Sequence, residues 1–291
     1  MKPPIFEYHR ARSVADALDR LSRLDGDVKL LAGGQSLVPM MNFRLARPDH
    51  LVDLNELTEL DYVRVSDGMI EVGAMARHHR VATDRDIRAT LPLLAEVAGS
   101  IGHYAIRQRG TLGGSLAHAD PAAQLPLLAV ALDAEMICRS TGGERLVAAR
   151  NFFQSIMTTA LEQREILVGA RFPKLPAHAG WGFEIFSPRH GDFAIVEVVS
   201  LLTLDGTDHI ADLRLAVGGI AATPVRFDEV TARFTRQAPV DDWTNVLAEA
   251  VQDACDIEET RIPAVFRKEL LVALTRRAAS AALRRAREAA C

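Results

Sequence analysis

Polar and apolar positions change period several times along the chain, and each change marks an element. Val14, Ala17, Leu18, Leu21 and Leu24 recur at helical spacing behind Ser13. Ser13 with Asp16 three residues later is an acidic variant of a capping box. An amphipathic helix is expected there, ended by Asp25-Gly26-Asp27. Residues 5–8 read as a short strand before it, and 28–32 and 51–54 as buried strands after it, with a helical turn at 36–41 between them. The first 55 residues thus predict a strand–helix–strand–loop–strand unit. Residues 61–65 and 69–73 then form a hairpin around Ser66-Asp67-Gly68. Helical patterns follow at 79–83, 91–99 and 125–131. Residues 134–139 and 165–172 read as strands, with a Thr141-Gly142-Gly143 turn and a short segment opening at Asn151-Phe152-Phe153 between them. Two prolines and a glycine in 173–180 mark a boundary. Beyond it, 195–204 and 213–217 read as strands, and the chain is mostly helical from Asp241. Its stretch 266–289, rich in Ala and Leu and basic on one side, reads as a surface or packing helix. The mixture predicts an α+β protein in two or three subdomains.

At 291 residues and 48% hydrophobic, the chain is long enough for about two domains, each with its own core. The net charge of −4 is spread with both signs interspersed. No basic stripe precedes the C-terminal helix, which excludes a broad nucleic-acid surface. The longest apolar stretch, 125–132, stops at Asp133 and is too short to span a bilayer. Met1-Lys2-Pro3-Pro4 opens no apolar signal region. Cys138, Cys255 and Cys291 form neither a metal motif nor an even-numbered disulfide framework, so a cytoplasmic location is expected.

Two loops carry the chemistry: Ala32-Gly33-Gly34-Gln35-Ser36 and Thr111-Leu112-Gly113-Gly114-Ser115. Each joins Gly-Gly to small hydroxyl residues. Glycine lets backbone take positive φ and approach a ligand closely, and successive N–H groups on such a loop cradle an anion. Two loops of matched chemistry predict a clamp on a diphosphate cofactor, with Ser36, Thr111 and Ser115 adding hydroxyls. The Gly142-Gly143 and Gly218-Gly219 pairs read as structural turns. G-x-G-x-x-G and the P-loop sequence are absent, which excludes the usual dinucleotide and nucleotide-hydrolysis signatures. H-E-x-x-H and G-x-S-x-G are absent too. His78 and His79 are adjacent and would point apart on a helix. No catalytic residue and no metal ligand is nominated.

The stretch from Leu31 through Ala32-Gly33-Gly34-Gln35-Ser36 to Leu45 closely resembles the first flavin-binding segment of the molybdenum hydroxylases, the carbon monoxide dehydrogenase and xanthine dehydrogenase relatives. The stretch from Ile106 through Thr111-Leu112-Gly113-Gly114-Ser115 to Pro126 resembles their second segment, and Arg189-His190-Gly191-Asp192-Phe193-Ala194 is similar to a third signature. The resemblance covers essentially the whole chain and matches the separate medium, FAD-carrying subunit. It implies a two-subdomain α/β FAD-binding fold of the vanillyl-alcohol-oxidase-like (PCMH) kind over 1–176, with subdomains about 1–55 and 56–176. A smaller α+β domain over 177–291 follows.

The resemblance also implies a set of cofactor contacts. Leu30, Leu31, Ala32, Gly33, Gly34, Gln35, Ser36 and Leu37 would wrap the pyrophosphate, with Lys29 a further cofactor-binding residue beside them. Thr111, Gly113, Gly114, Ser115, Ala117 and Asp120 would line the other side, with Ile101 and Leu167 as apolar contacts. Phe193 matches a position near the flavin ring where relatives often carry Tyr; the alternative is a core aromatic on a strand. Gln108 and Gln124 stand where the family usually has Asn and Asp, and Pro188 replaces a commonly basic residue. FAD is expected to be non-covalent, with the molybdenum cofactor on a large partner subunit and 2Fe–2S clusters on a small one, the whole a dimer of heterotrimers. The implied role is electron transfer from those clusters to an external acceptor. The rivals are a stand-alone flavin oxidase or dehydrogenase and a flavin-fold scaffold without cofactor.

Overall fold

In the computed structural model, which describes residues 2–240 and 242–290, Ser13 caps the first helix: its hydroxyl accepts from the Asp16 N–H at 3.1 Å. Asp16 reaches back one residue further than a capping box requires, accepting from the Arg12 N–H at 2.9 Å. Met1, Asp241 and Cys291 lie outside the described residues, and with them the third cysteine and the expected onset of the helical region at 241. The chain packs into two units. One holds the chain to Ala119 together with Ala134–Pro173; the other holds Asp120–Asp133 and the chain from Lys174.

The first unit begins with β1 (Glu7–Arg10), α1 (Val14–Arg23), β2 (Val28–Leu31), α2 (Leu37–Asn42) and β3 (His50–Asp53). The strands form a parallel sheet in the order β1-β3-β2, so each return of the chain between them runs through a helix or loop. Val14, Ala17, Leu18 and Leu21 of α1 pack with Val52 and Leu54 in one core, as the spacing predicts. Next come β4 (Val63–Ser66), β5 (Met69–Gly73), α3 (His78–Thr83), α4 (Arg85–Thr90), α5 (Pro92–Ser100), α6 (Tyr104–Arg107) and α7 (Leu112–His118). After α8 (Gln124–Ala131), which belongs to the second unit, the chain returns with β6 (Glu135–Ser140), β7 (Gly143–Ala148), α9 (Ala149–Phe152), β8 (Phe153–Ser155), β9 (Thr158–Thr159) and β10 (Ile166–Pro173). An antiparallel sheet runs β4-β5-β10-β6-β7.

The second unit contains β11 (Ala179–Phe186), β12 (Val196–Leu204), β13 (Ile210–Gly218), β14 (Val225–Arg226), α10 (Asp228–Thr231), α11 (Trp243–Asp253) and α12 (Ala264–Ala290). Its strands form an antiparallel sheet in chain order. β11 was not among the expected strands. Its Gly180 and Gly182 hide the strand pattern, yet they are why it works: a Cβ at Gly182 would lie 2.6 Å from the carbonyl carbon of Ala278. The helix α12 thus lies backbone against backbone on β11, and Ala278, Ala279, Ala282 and Ala286 are fully buried. α12 is the packing helix that the sequence predicts. The segment 120–133 is tied to this unit by Asp133, which accepts from Arg226 at 2.8 Å and Arg214 at 3.1 Å, and by the Gly219 N–H on Pro121 O at 2.9 Å. Among the described residues no helix is long and apolar enough to cross a membrane.

Candidate functional site

β2 ends at Leu31, and the chain turns through Ala32–Ser36 into α2. Gly34 holds φ at +72°, a conformation that a side chain disfavours. Gly33 is needed for another reason: a Cβ there would stand 2.8 Å from both the Arg109 carbonyl carbon and Gly110 Cα. The two glycine loops therefore touch. Among the described residues, the N–H groups of Gly33, Gly34, Gln35 and Ser36 donate to no protein acceptor. The Gln35 amide donates to Gly33 O at 3.0 Å, and the Ser36 hydroxyl does not cap α2. With only six residues, α2 adds little dipole, so the loop N–H groups are the anion-binding element.

The second loop differs, and the expectation of matched chemistry is corrected here. Leu112 N–H donates to Ala76 O and Gly113 N–H to Ala74 O, each at 2.9 Å. Gly114 N–H donates to the Thr111 hydroxyl at 3.0 Å, and Ser115 N–H to Thr111 O at 3.1 Å. Thr111 is the buried N-cap of α7, its hydroxyl engaged by the backbone. Gly113 is a packing residue, since a Cβ would lie 2.8 Å from Ala74 Cα. What this loop offers a ligand is the half-buried Ser115 hydroxyl and the surface of Gly114, whose Cβ would be 3.6 Å from Ala32 Cβ.

Three residues that sequence reading missed hold the loops together. Asn55 donates to Ala32 O at 2.8 Å and accepts from Arg77 at 2.7 Å. Arg77 also donates to Arg109 O. His78 donates its backbone N–H to Gly110 O at 2.9 Å, and its Nε2 lies 2.8 Å from Thr111 O. His78 is 5% exposed, and burial lowers its pKa from 6.5 to about 4, although the contact with Thr111 O opposes that shift. It is neutral at pH 7, so Nε2 carries the proton that Thr111 O accepts, and Nδ1 is left buried without a partner. These side chains come from loops or a helix start far apart in sequence, with no local signature to find them by.

Comparison with known proteins places this geometry. Residues 4–175 match the model of the FAD binding domain in molybdopterin dehydrogenase, and residues 181–282 that of the CO dehydrogenase flavoprotein C-terminal domain. The chain belongs to this flavoprotein family. The 6-hydroxypseudooxynicotine dehydrogenase complex subunit alpha of Paenarthrobacter nicotinovorans is 39% identical, over 99% of this chain and 97% of that one. The carbon monoxide dehydrogenase medium chain of Hydrogenophaga pseudoflava is 34% identical, over 97% and 98%. A solved structure of carbon monoxide dehydrogenase from Hydrogenophaga pseudoflava, lacking the Mo-pyranopterin moiety of the molybdenum cofactor, has a chain that superposes with a TM-score of 0.94 at 35% identity, covering 98% of this chain and 99% of that one. The flavoprotein is therefore of the oxidoreductase class, and FAD is its cofactor.

The residues fit that cofactor. The unpaired N–H groups of 33–36, on a loop whose Gly33 admits no Cβ, suit a diphosphate. The remaining candidates of the flavoprotein lie as follows. Lys29 pairs with Asp27 at 3.2 Å, and Leu30 packs on the α1 core, so neither side chain is free toward the loop. Leu31 and Val38 flank Gly34, and Leu37 opens α2. Ile101 follows α5, with its carbonyl held by Arg107 at 3.0 Å. Leu167 is buried on β10, opposite Cys138. Ala117 is exposed on α7, whose last residue is His118. Asp120 and Phe193 belong to the second unit. Asp120 accepts from the Ala122 N–H at 2.9 Å. Phe193 is 56% exposed and outside any strand, which removes the core-aromatic alternative. Gln124 is buried at the start of α8. Glu197 is a further missed residue: it is fully buried on β12, its oxygens have no partner, and burial, helped by Asp120, raises its pKa.

Proposed function

We propose that this chain is the FAD-carrying electron-transfer subunit of a molybdenum hydroxylase, receiving electrons from 2Fe–2S clusters on a small subunit and delivering them to an external acceptor. That relatives are a dehydrogenase complex subunit and a carbon monoxide dehydrogenase medium chain supports a multi-subunit setting. The observation that carries the cofactor assignment is the row of unpaired N–H groups from Gly33 to Ser36. When bound, FAD supplies the redox chemistry that no side chain here provides. The chain's part is to hold it. Gly33, Gly34, Gln35 and Ser36 would donate their N–H groups to the pyrophosphate, and Ser115 would add a hydroxyl. Lys29 to Ala32 and Leu37 frame that loop. Thr111 and Gly113 act as supports rather than ligands. Ile101, Leu167, Gly114, Ala117, Asp120 and Phe193 keep the contacts that the motifs imply.

In this reading the FAD is non-covalent, the substrate is hydroxylated on a large molybdenum subunit, and the assembly is a cytoplasmic dimer of heterotrimers. The FAD-binding domain spans 1–176, in subdomains of about 1–55 and 56–176, and the C-terminal domain 177–291. The meeting of the two family matches between 175 and 181 supports that division. The test uses the purified complex. Its substrate should bleach the flavin absorption only when the small iron–sulfur subunit is present. Direct reduction of the isolated flavoprotein by that substrate would instead establish a stand-alone dehydrogenase. Acid precipitation should leave all yellow colour in the supernatant, and colour in the pellet would show a covalent bond.

A further inference from the structure

β1 and β3 run in parallel with Glu7 opposite His50 and His9 two residues along. Side chains two apart on a strand share a face, so Glu7, His9 and His50 meet on one side of the sheet. His9 Nε2 lies 3.1 Å from His50 Nδ1. The Glu7 carboxylate lies 3.4 Å from His50 Nδ1 and 3.8 Å from His9 Nε2. The imidazoles are 19% and 16% exposed, while Glu7 is open to water at 73%.

We propose that Glu7, His9 and His50 form a three-ligand site for a divalent transition-metal ion of the Zn²⁺ class, with water in the fourth position. Ligand atoms on a tetrahedral Zn²⁺ with bonds of about 2.0–2.1 Å stand roughly 3.3–3.4 Å apart. The three separations here bracket that value, so the triangle has the size of one face of the tetrahedron. The longest edges end on Glu7, the exposed and adjustable member. A proton between the two rings satisfies one edge of the triangle, whereas a cation above its centre satisfies all three. Two imidazoles with one carboxylate select Zn²⁺, Ni²⁺ or Cu²⁺ over Mg²⁺ and Ca²⁺, which take oxygen ligands. Because the ligands come from two strands, the ion ties the N-terminal strand to the middle of its sheet. This site is independent of the flavin reading.

The test titrates Zn²⁺ into the chelator-treated flavoprotein, with FAD retained, by calorimetry and by thermal unfolding. One saturable ion per chain at micromolar concentration is expected, with an unfolding midpoint that rises with Zn²⁺ concentration. His50→Gln should abolish that binding. Glu7→Ala, an exposed change that leaves the core intact, should weaken it by at least about tenfold. FAD absorbance reports that each variant is folded. The proposal is overturned if no saturable binding appears in the micromolar range, if Glu7→Ala binds Zn²⁺ as the parent does, or if Mg²⁺ gives the same response.

Discussion

Among the described residues, the N–H groups of Gly33, Gly34, Gln35 and Ser36 in the loop after β2 have no protein acceptor, whereas those of Leu112, Gly113, Gly114 and Ser115 in the first turn of α7 all have one. The amino-acid words are nearly the same: a Gly-Gly pair beside small hydroxyl residues. The backbones do opposite things with them. In the first loop the glycines let the chain turn while its donors stay available. In the second they let a helix start against Ala74 and Ala76, whose carbonyls take the Leu112 and Gly113 donors, while Thr111 takes those of Gly114 and Ser115. Unpaired N–H groups are costly if buried and useful if a ligand accepts from them. The first loop is therefore the ligand-dependent one, and the second is the wall it rests on.

The largest effect should come from treating the wall as if it were a ligand loop. Gly113→Val drives side-chain atoms into the Ala74 backbone, and overpacking of this kind costs about 3 kcal/mol. Stability by urea unfolding should fall first, with FAD lost only as the fold is lost. Gly34→Ala is the converse case. Its Cβ would meet only side-chain ends, Val38 Cγ2 at 3.1 Å and Leu31 Cδ1 at 3.3 Å, so the cost is about 1 kcal/mol for the positive φ. FAD affinity should fall while stability nearly holds. If the two variants exchanged these behaviours, the assignment of roles would be wrong. Gly33 stands between them: a bulky residue there meets the Arg109–Gly110 backbone, so fold and cofactor should be lost together.

A pH titration probes the joint between the loops. His78 has a folded pKa of about 4, below its ordinary 6.5, because it is buried. Between those values the unfolded chain binds a proton that the folded chain does not. Stability is then full above pH 6.5 and declines as pH falls toward 4, by about 3 kcal/mol at most. His78→Gln, which keeps a donor for Thr111 O, should flatten the decline. An unchanged pH profile in that variant would place the acid sensitivity elsewhere.

What the sequence made legible follows from how local each signal is. The α1 stripe, the Ser13 cap and the first glycine pair are local patterns and lie where the spacing put them, whereas Gly113-Gly114, read as a loop, lies in the first turn of α7. β11 was not legible, because Gly180 and Gly182 break its apolar alternation and only the packed α12 explains them. The difference between the glycine loops was not legible either. Whether an N–H is free depends on the carbonyls of residues 74 and 76, brought there by the bridge between Arg77 and Thr111. Asn55, Arg77 and His78 act through contacts with residues 22 to 33 positions away, and no motif spans that distance.

Asn55 sharpens the comparison next, because of the two glycine segments it hydrogen-bonds only the ligand-dependent one. It holds Ala32 O and is held by Arg77. Asn55→Ala frees the start of that loop without altering the bonds at 112–115. FAD should dissociate roughly tenfold more readily, equivalent to about 1.4 kcal/mol, as read by fluorescence of released flavin. The cap at Thr111 should be unaffected. Equal loss of FAD affinity and α7 stability would mean that the loops form a single cooperative element.

The smallest effect tests the wall by itself. The Thr111 hydroxyl accepts from the Gly114 N–H and caps α7. Thr111→Ala removes that acceptor and should cost about 1 kcal/mol of stability, the usual loss for an N-cap. Thr111→Ser restores the acceptor and should recover most of it. If Thr111 acts only as a cap, FAD affinity should track stability across the parent and both variants. If the alanine variant binds FAD more tightly despite its lower stability, the freed Gly114 N–H has found the cofactor. In that case the second loop would be a ligand loop held in reserve by its own threonine.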